Sequence, residues 1–182
     1  MFGPKGYRLQ PDDRISEGDF YCRRYSRKMA KVAWLAELEG REMKGTSRLH
    51  LEWLPEDQRI TPCESTLSLR SAVGGNHQLL QYEWNYDNEW QHGLMMIGYK
   101  PESGKIRIAW ADNWHNGTGF MDCTGELTPE GVIRVNGHYP AHEGPDWGWR
   151  IELSAEAGGL RFAMTNISPE GQESWATDCL YQ

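Results

Sequence analysis

Long apolar runs are missing from this sequence, and their absence excludes one large class of protein. No stretch approaches the roughly 20 consecutive apolar residues that a membrane-spanning helix needs. The opening segment, Met1 to Arg8, also lacks the apolar core of a signal peptide. We therefore expect a cytoplasmic protein that does not associate with membranes.

Positive charge is also scarce. The chain has 19 Lys and Arg residues against 26 Asp and Glu residues, which gives a formal net charge of −7. Most of such a surface would repel the phosphate backbone of a nucleic acid. We therefore expect a small-molecule partner and no nucleic-acid partner.

Cysteine and catalytic motifs are sparse. The four cysteines, Cys22, Cys63, Cys123 and Cys179, are widely separated and form no Cys-x-x-Cys pair. This spacing favours reduced, mostly buried thiols over a disulfide framework. The chain also has no Gly-rich phosphate loop and no recognisable Ser, His and Asp arrangement.

One stretch near the N-terminus has helical periodicity. Ser16 to Asp19 resembles a capping box, and Gly40 is typical of a helix end. Between them, apolar residues recur at helical spacing: Tyr25, Met29, Val32, Leu35 and Leu38. We predict one helix over 16–40, preceded by an irregular arm over 1–15. Its Arg and Lys residues are expected to be solvated, with contact to an anionic surface as the alternative.

The rest of the chain has a period of two, interrupted by Gly, Pro and Asn turns. Short turns join neighbouring strands in antiparallel fashion, and closure removes exposed sheet edges. The pattern predicts an all-β, up-and-down antiparallel barrel of about ten strands within one domain, 16–182. An open two-sheet sandwich is the alternative. The predicted strands are 47–54, 63–73, 77–86, 91–99, 105–115, 118–127, 131–139, 147–154, 159–167 and 173–181.

The apolar faces of these strands carry large rings with a polar tip. Tyr82 and Trp84 share a face of one strand, Trp149 lies on a second, and Met164 lies on a third. A core alone could be built from Leu, Ile and Val, whereas inward Tyr and Trp need hydrogen-bond partners or a ligand. The aromatic interior therefore indicates either unusually polar packing or a binding cavity.

The stretch from Trp110 to His115 places an acid on an apolar face. In a regular strand Asp112 shares its face with Trp110 and Trp114, and His115 lies on the opposite face. Asp112 would then bind a ligand or act as an acid or base. Alternatively it lies at the wet end of the strand, paired with Arg150 or capped by backbone N–H groups.

Arg150 follows Trp149 and therefore faces outward in a regular strand. A bulge near Gly148 would turn it inward, where it could pair with Asp112 or bind a ligand carboxylate in bidentate fashion. Both orientations stay open at the level of sequence.

The histidines suggest a metal site only weakly. His138 and His142 have helical ligand spacing, but Pro140 prevents a regular helix between them. In a strand they would lie about 13 Å apart, too far to share one ion, even with Glu143 and His115 nearby. We therefore expect no metal site. The turn from Pro140 to Pro145 is either a loop at the cavity mouth or a plain hairpin connection.

A set of short motifs resembles a bacterial family of uncharacterised function from about Leu35 to the C-terminus. Members of that family have a lipocalin-like, or calycin-type, barrel. Where such barrels carry a Trp between two glycines at the first strand, this chain has Met43 between Gly40 and Gly45. The resemblance implies a fold and no established ligand; because some ten-stranded calycin-type barrels hold haem, haem held by one histidine is a further alternative. The motifs are Tyr82-Glu-Trp84, Gly98-Tyr99, Trp110-x-Asp112-x-Trp114-His115, Gly137-His-Tyr-Pro140, the segment from Gly144 to Arg150, and Met164-Thr-Asn-Ile167.

Two functions are compatible with these residues. The first is a binding protein that holds a small apolar or planar molecule in the barrel. The second is an isomerase or hydrolase in the same cavity, with Asp112, His115 and His138 as candidate catalytic residues. A module that contacts partners through its helix or arm is a third option, and the oligomeric state is open, including a homodimer. The candidate ligand-binding residues are Tyr82, Trp84, Trp110, Asp112, Trp114, Trp149, Arg150 and Met164.

Overall fold

A computed structural model describes residues 31–182 of the chain. The predicted arm over 1–15 and the part of the predicted helix over 16–30 lie outside the described residues. Among residues 31–182, no helix has the length and apolar character needed to cross a membrane.

Ten strands form one closed antiparallel barrel. Each strand pairs with its neighbours in sequence, and the first strand pairs with the last, so the sheet has no free edge. The prediction of an all-β, antiparallel, ten-stranded barrel is therefore confirmed, and the open sandwich is excluded. The strands are β1 (Glu42–His50), β2 (Ile60–Ala72), β3 (His77–Tyr86), β4 (Glu89–Lys100), β5 (Lys105–Asp112), β6 (Met121–Leu127), β7 (Ile133–Tyr139), β8 (Trp147–Glu156), β9 (Gly159–Ile167) and β10 (Glu173–Tyr181).

The predicted bounds are confirmed for β3, β9 and β10, and the largest error concerns β1. The prediction began that strand at residue 47, but Gly45 lies inside it, opposite Tyr181. A Cβ atom at Gly45 would come within 2.6 Å of the Leu180 carbonyl oxygen. This glycine therefore permits close approach of two strands at the closure of the barrel, and it does not mark a turn.

The predicted helix is largely wrong in the region that the structure describes. Only α1 (Ala33–Ala36) is helical, and residues 37–40 form a turn. Val32 has an extended backbone with ψ of 121°, so no helix passes through it. The apolar spacing nevertheless identified buried positions, since the side chains of Val32, Leu35 and Leu38 are all buried.

These residues close one end of the barrel. Leu35 is fully buried in the same apolar cluster as the inward residues of the strands. The Trp34 indole N–H donates to the Gly131 carbonyl oxygen at 3.0 Å, which fixes α1 against the loop before β7. At the opposite end lie the connections that follow β1, β3, β5, β7 and β9.

Candidate ligand-binding site

A cavity of about 290 Å³ lies inside the barrel toward the end opposite α1. It is bounded by the ends of β1, β3, β5, β7 and β9 and by the first residues of β8 and β10. Much of its wall is aromatic because several inward positions of these strands carry rings. Representative wall residues are Trp84, Trp149, Phe162, Met164, Trp175 and Tyr181.

The ring of Tyr82 crosses one whole strand to reach this cavity wall. Tyr82 on β3 lies opposite Gly93 on β4, and Gly93 lies opposite Asp112 on β5. A Cβ atom at Gly93 would be 2.1 Å from Cζ of Tyr82. Gly93 is therefore the residue that lets the Tyr82 ring lie across β4 and reach Asp112.

A directed hydrogen-bond chain runs through Tyr82. The Trp110 indole N–H donates to the Tyr82 hydroxyl oxygen at 2.8 Å, and the hydroxyl donates to Asp112 Oδ2 at 2.8 Å. The direction is fixed because an indole N–H can only donate. The pKa of Tyr82 lies well above its ordinary value, chiefly because burial disfavours the phenolate, and the Asp112 carboxylate raises it further.

The second carboxylate oxygen of Asp112 binds the backbone of the turn that follows β5. Asp112 Oδ1 accepts the backbone N–H groups of Trp114 at 2.8 Å and His115 at 3.0 Å. This is the local geometry that Asp favours in turns, so the strand stops at Asp112 and not at residue 115. The predicted opposite-face position of His115 is therefore wrong. The signal for the turn was present in Asn116-Gly117, which begins four residues after Asp112.

This turn brings His115 back beside Asp112. His115 Nδ1 lies 3.1 Å from Asp112 Oδ1. The imidazole ring packs beside the stacked rings of Trp110 and Trp149, with centroid separations of 5.5 and 5.2 Å. Asp112 Oδ1 already accepts two backbone N–H groups, so we assign the tautomer in which Nδ1 donates to it as well. His115 also lines the cavity, and its Nε2 is the ring atom that remains available to a ligand.

Two buried indole groups on the cavity wall lack hydrogen-bond partners. The side-chain nitrogens of Trp84 and Trp149 contact no acceptor within residues 31–182, although both residues are more than nine-tenths buried. Buried donors without partners typically cost about 1–3 kcal/mol each, so proteins rarely retain them without a reason. Both residues line the cavity, so the two donors without partners lie at the candidate ligand-binding site.

Asn166 is a polar residue of the cavity wall. It lies on β9 directly opposite Trp149 on β8. The Tyr139 hydroxyl donates to Asn166 Oδ1 at 2.7 Å, while no acceptor within residues 31–182 contacts Nδ2. Sequence reasoning missed Tyr139 and Asn166. Asn166 could have been found by extending the inward alternation of Phe162 and Met164 by one more step.

Arg150 does not enter the cavity. β8 keeps a regular register through Gly148 and Arg150 with both neighbours, so the bulge considered above is absent. The Arg150 guanidinium pairs on the outside of the barrel with Glu173, with Nη1 2.7 Å from Oε1. Asp112 is instead held by Tyr82 and by the turn. The inward alternative for Arg150 is therefore wrong, and Arg150 is not among the cavity residues.

Most of the other predicted site residues line the cavity, and Trp110 does not. Trp84, Asp112, Trp149 and Met164 line the cavity together with Tyr82, and Trp114 packs edge-on against Tyr86 at the cavity mouth. Trp110 is fully buried and lies behind the cavity wall, where it contacts three lining residues: it donates to Tyr82, stacks on Trp149 and packs against His115.

The structure does not bring His138 to the cavity. Its side chain is exposed on β7, and the loop over 140–146 follows at the open end of the barrel. Within residues 31–182, no group of three or more His, Cys, Asp or Glu side chains is arranged to hold a metal ion. His115 and His50 are the histidines that line the cavity.

A family described as protein of unknown function, DUF1579, matches residues 28–182. This range contains all ten strands and every cavity residue named above. No curated protein matches the chain.

Proposed function

Because the chain belongs to DUF1579, a family of proteins of unknown function, we propose its function from the cavity alone: it binds a small, planar, largely apolar molecule inside the barrel. This is the binding function that the aromatic strand faces already favoured. Its partner is accordingly a small molecule, and neither a nucleic acid nor a membrane.

The unpartnered indole N–H groups of Trp84 and Trp149 carry this proposal. A wall built only for packing would have little reason to keep two buried donors without acceptors. A cavity that accommodates a ligand needs flat apolar walls for stacking and a few polar groups for orientation. Trp84 and Trp149 supply rings, while Asn166 and His115 supply polar atoms beside them.

The cavity volume limits the ligand to about two fused rings. An apolar cavity of about 150 Å³ is enough to bind benzene, and this cavity is about 290 Å³. Burial of about 200 Å² of apolar ligand surface would contribute about 5 kcal/mol before association costs. On this contribution alone, we expect dissociation constants in the millimolar range for simple bicyclic aromatics.

A thermal-shift and tryptophan-fluorescence screen with bicyclic aromatic probes tests the proposal. Ala176 lines the cavity, so Ala176→Trp should fill it and weaken binding at least about tenfold. The matched control is Ala111→Trp, because Ala111 lies on the outer side of β5, outside the cavity lining. Absence of binding to the wild-type protein, or equal binding by Ala176→Trp, would overturn the proposal.

A second candidate, an enzyme in the same cavity, is favoured by one observation. The contact between Asp112 Oδ1 and His115 Nδ1 orients an imidazole whose Nε2 is available as a general base. Asp112 itself is less suited to that role because four donors already occupy its oxygens. The test is hydrolysis of naphthyl acetate: turnover that His115→Gln abolishes supports a hydrolase, and the absence of turnover above background opposes it.

We also propose a lipocalin-like, bacterial, cytoplasmic barrel. Ten sequential strands with a ligand cavity at one end and a short helical plug at the other support the lipocalin-like assignment. Cys63, Cys123 and Cys179 are all free thiols, which fits a reducing compartment. A homodimer stays a proposal that gel filtration with light scattering would test.

A further inference from the structure

We infer that the cavity selects uncharged planar molecules that donate a hydroxyl hydrogen bond to His115 Nε2, and that it rejects carboxylates of the same shape. The inference rests on the proposed binding function and specifies its ligand class. It follows from the charges of the cavity lining and from the hydrogen bonds that its polar groups have already made.

The charged residues of the lining are acidic. Asp112 is almost fully buried at the inner wall, and Glu52 lies toward the mouth. No Lys or Arg of the described chain lines the cavity. The cation that could have bound a carboxylate, Arg150, lies outside with Glu173. A second anion would therefore enter a site that already holds one carboxylate and offers no fixed positive charge, which is strongly unfavourable.

His115 supplies an acceptor in place of that missing cation. Its Nδ1 proton is committed to Asp112, so in the neutral ring Nε2 has a lone pair and no hydrogen. The ring is about one-third exposed, and it lies against Trp149 on the cavity wall. A ligand that stacks on Trp149 can therefore place a hydroxyl group at Nε2.

Two other polar groups on this wall offer donors. Asn166 Nδ2 and the Trp149 indole N–H have no acceptors within residues 31–182. The same hydroxyl oxygen, or a ring oxygen or nitrogen, can accept from Asn166 while its hydrogen goes to His115. A phenol-like group satisfies this pairing, whereas an ether accepts but cannot donate.

Three probes of one shape separate these cases: 2-naphthol, 2-methoxynaphthalene and 2-naphthoate. Calorimetric titrations with all three probes are run at pH 8. We expect 2-naphthol to bind about 3- to 10-fold more tightly than 2-methoxynaphthalene, the range of one net hydrogen bond. We expect 2-naphthoate to bind at least about tenfold more weakly than 2-naphthol.

Variants assign the preference to particular residues. His115→Phe should reduce the affinity for 2-naphthol to that for 2-methoxynaphthalene and leave the latter nearly unchanged. The matched control is His92→Phe, because His92 is exposed outside the cavity and pairs with Glu83. Glu52→Gln should improve 2-naphthoate binding a few-fold without affecting 2-naphthol.

Failure of the inference and failure of the proposed function give different results. If none of the probes binds, or if Ala176→Trp binds all three as wild type does, the binding function itself is wrong. If the probes bind in the cavity but 2-naphthoate equals or exceeds 2-naphthol, the cavity does not select uncharged ligands. If 2-naphthol loses its advantage equally in His92→Phe, His115 does not set the preference.

Discussion

The Tyr82 hydroxyl donates to Asp112 Oδ2 at 2.8 Å and thereby joins β3 to β5 across the intervening strand. Gly93 makes this possible because it has no side chain beneath the tyrosine ring. One hydrogen bond thus connects the packing of three strands with the polar wall of the cavity.

Removal of the Tyr82 hydroxyl should destabilise the protein. In Tyr82→Phe the Trp110 indole N–H loses its acceptor and Asp112 Oδ2 loses its donor, both in a buried site. We expect the free energy of unfolding to fall by about 2 kcal/mol, measured by urea denaturation. Tyr86→Phe is the control, since the Tyr86 hydroxyl makes no hydrogen bond within the described chain, and it should change stability by less than about 0.5 kcal/mol. Equal losses in both variants would contradict this assignment.

A methyl group at Gly93 should displace the Tyr82 ring. The added Cβ would lie 2.1 Å from Tyr82 Cζ, and movement of the ring would also break the bond to Asp112. We expect Gly93→Ala to lower the free energy of unfolding by about 3 kcal/mol.

Two comparisons test the cause of that loss. Gly98→Ala on the same strand meets only the far end of the His77 ring, at 3.3 Å, and should have a clearly smaller effect. In a Tyr82→Leu background the effect of Gly93→Ala should shrink below about 1 kcal/mol, because the clashing ring is gone. Full additivity of the two substitutions would show that the clash does not cause the destabilisation.

Asp178 should make the stability of the protein depend on pH. It lies on β10, which pairs with β1 on one side and β9 on the other. Burial opposes ionisation, but hydrogen bonds from Arg161 on β9 and Arg48 on β1 together hold the pKa of Asp178 below its ordinary value. A lowered folded-state pKa stabilises the protein above the unfolded-state value of about 4, and this contribution disappears as pH falls through the folded-state pKa.

We therefore expect Asp178→Asn to be less stable than wild type at pH 7 and the difference to shrink below about pH 4. Urea denaturation from pH 7 to about pH 2.5 measures this. Glu64→Gln is the control, because Glu64 is an exposed strand residue without an ion pair in the described chain. A stability difference that stays constant across this range would refute the role of Asp178.

The buried thiols should resist alkylating and disulfide reagents in the native protein. Burial raises the pKa of Cys123 to about 12 and also raises the pKa values of Cys63 and Cys179. For a thiol with that pKa, only about one molecule in 10⁴ carries the reactive thiolate at pH 8. In a Cys22→Ser background, we expect almost no labelling by an aromatic disulfide reagent until denaturant is added. Labelling of a full thiol within minutes under native conditions would contradict the structure.

The barrel was predictable because each strand carries its own pattern. Alternation of Leu80, Tyr82 and Trp84 with polar residues specifies which face is buried, and turns such as Asp87-Asn88, both at positive φ, separate the strands. Errors occurred where a glycine serves close packing, as at Gly45, and where one side chain ends a strand, as at Asp112.

The candidate site was predictable only in part. Tyr82, Trp84, Asp112, Trp149 and Met164 were identified because inward position follows from strand parity. The sequence did not exclude Arg150, because a bulge near Gly148 would have turned it inward. His138 was selected for its chemistry and not for its position in the strand. Asn166 obeyed the same parity and was overlooked because it is polar.

The sequence alone determined the approximate strand number and the aromatic interior, since these depend on local periodicity and turn residues. The tertiary structure decided what Asp112 contacts. Its partners come from β3 and from the turn after β5, and Arg150 pairs with Glu173 instead. These contacts depend on strand register and on the space left by Gly93, which are properties of the closed barrel and not of any one segment.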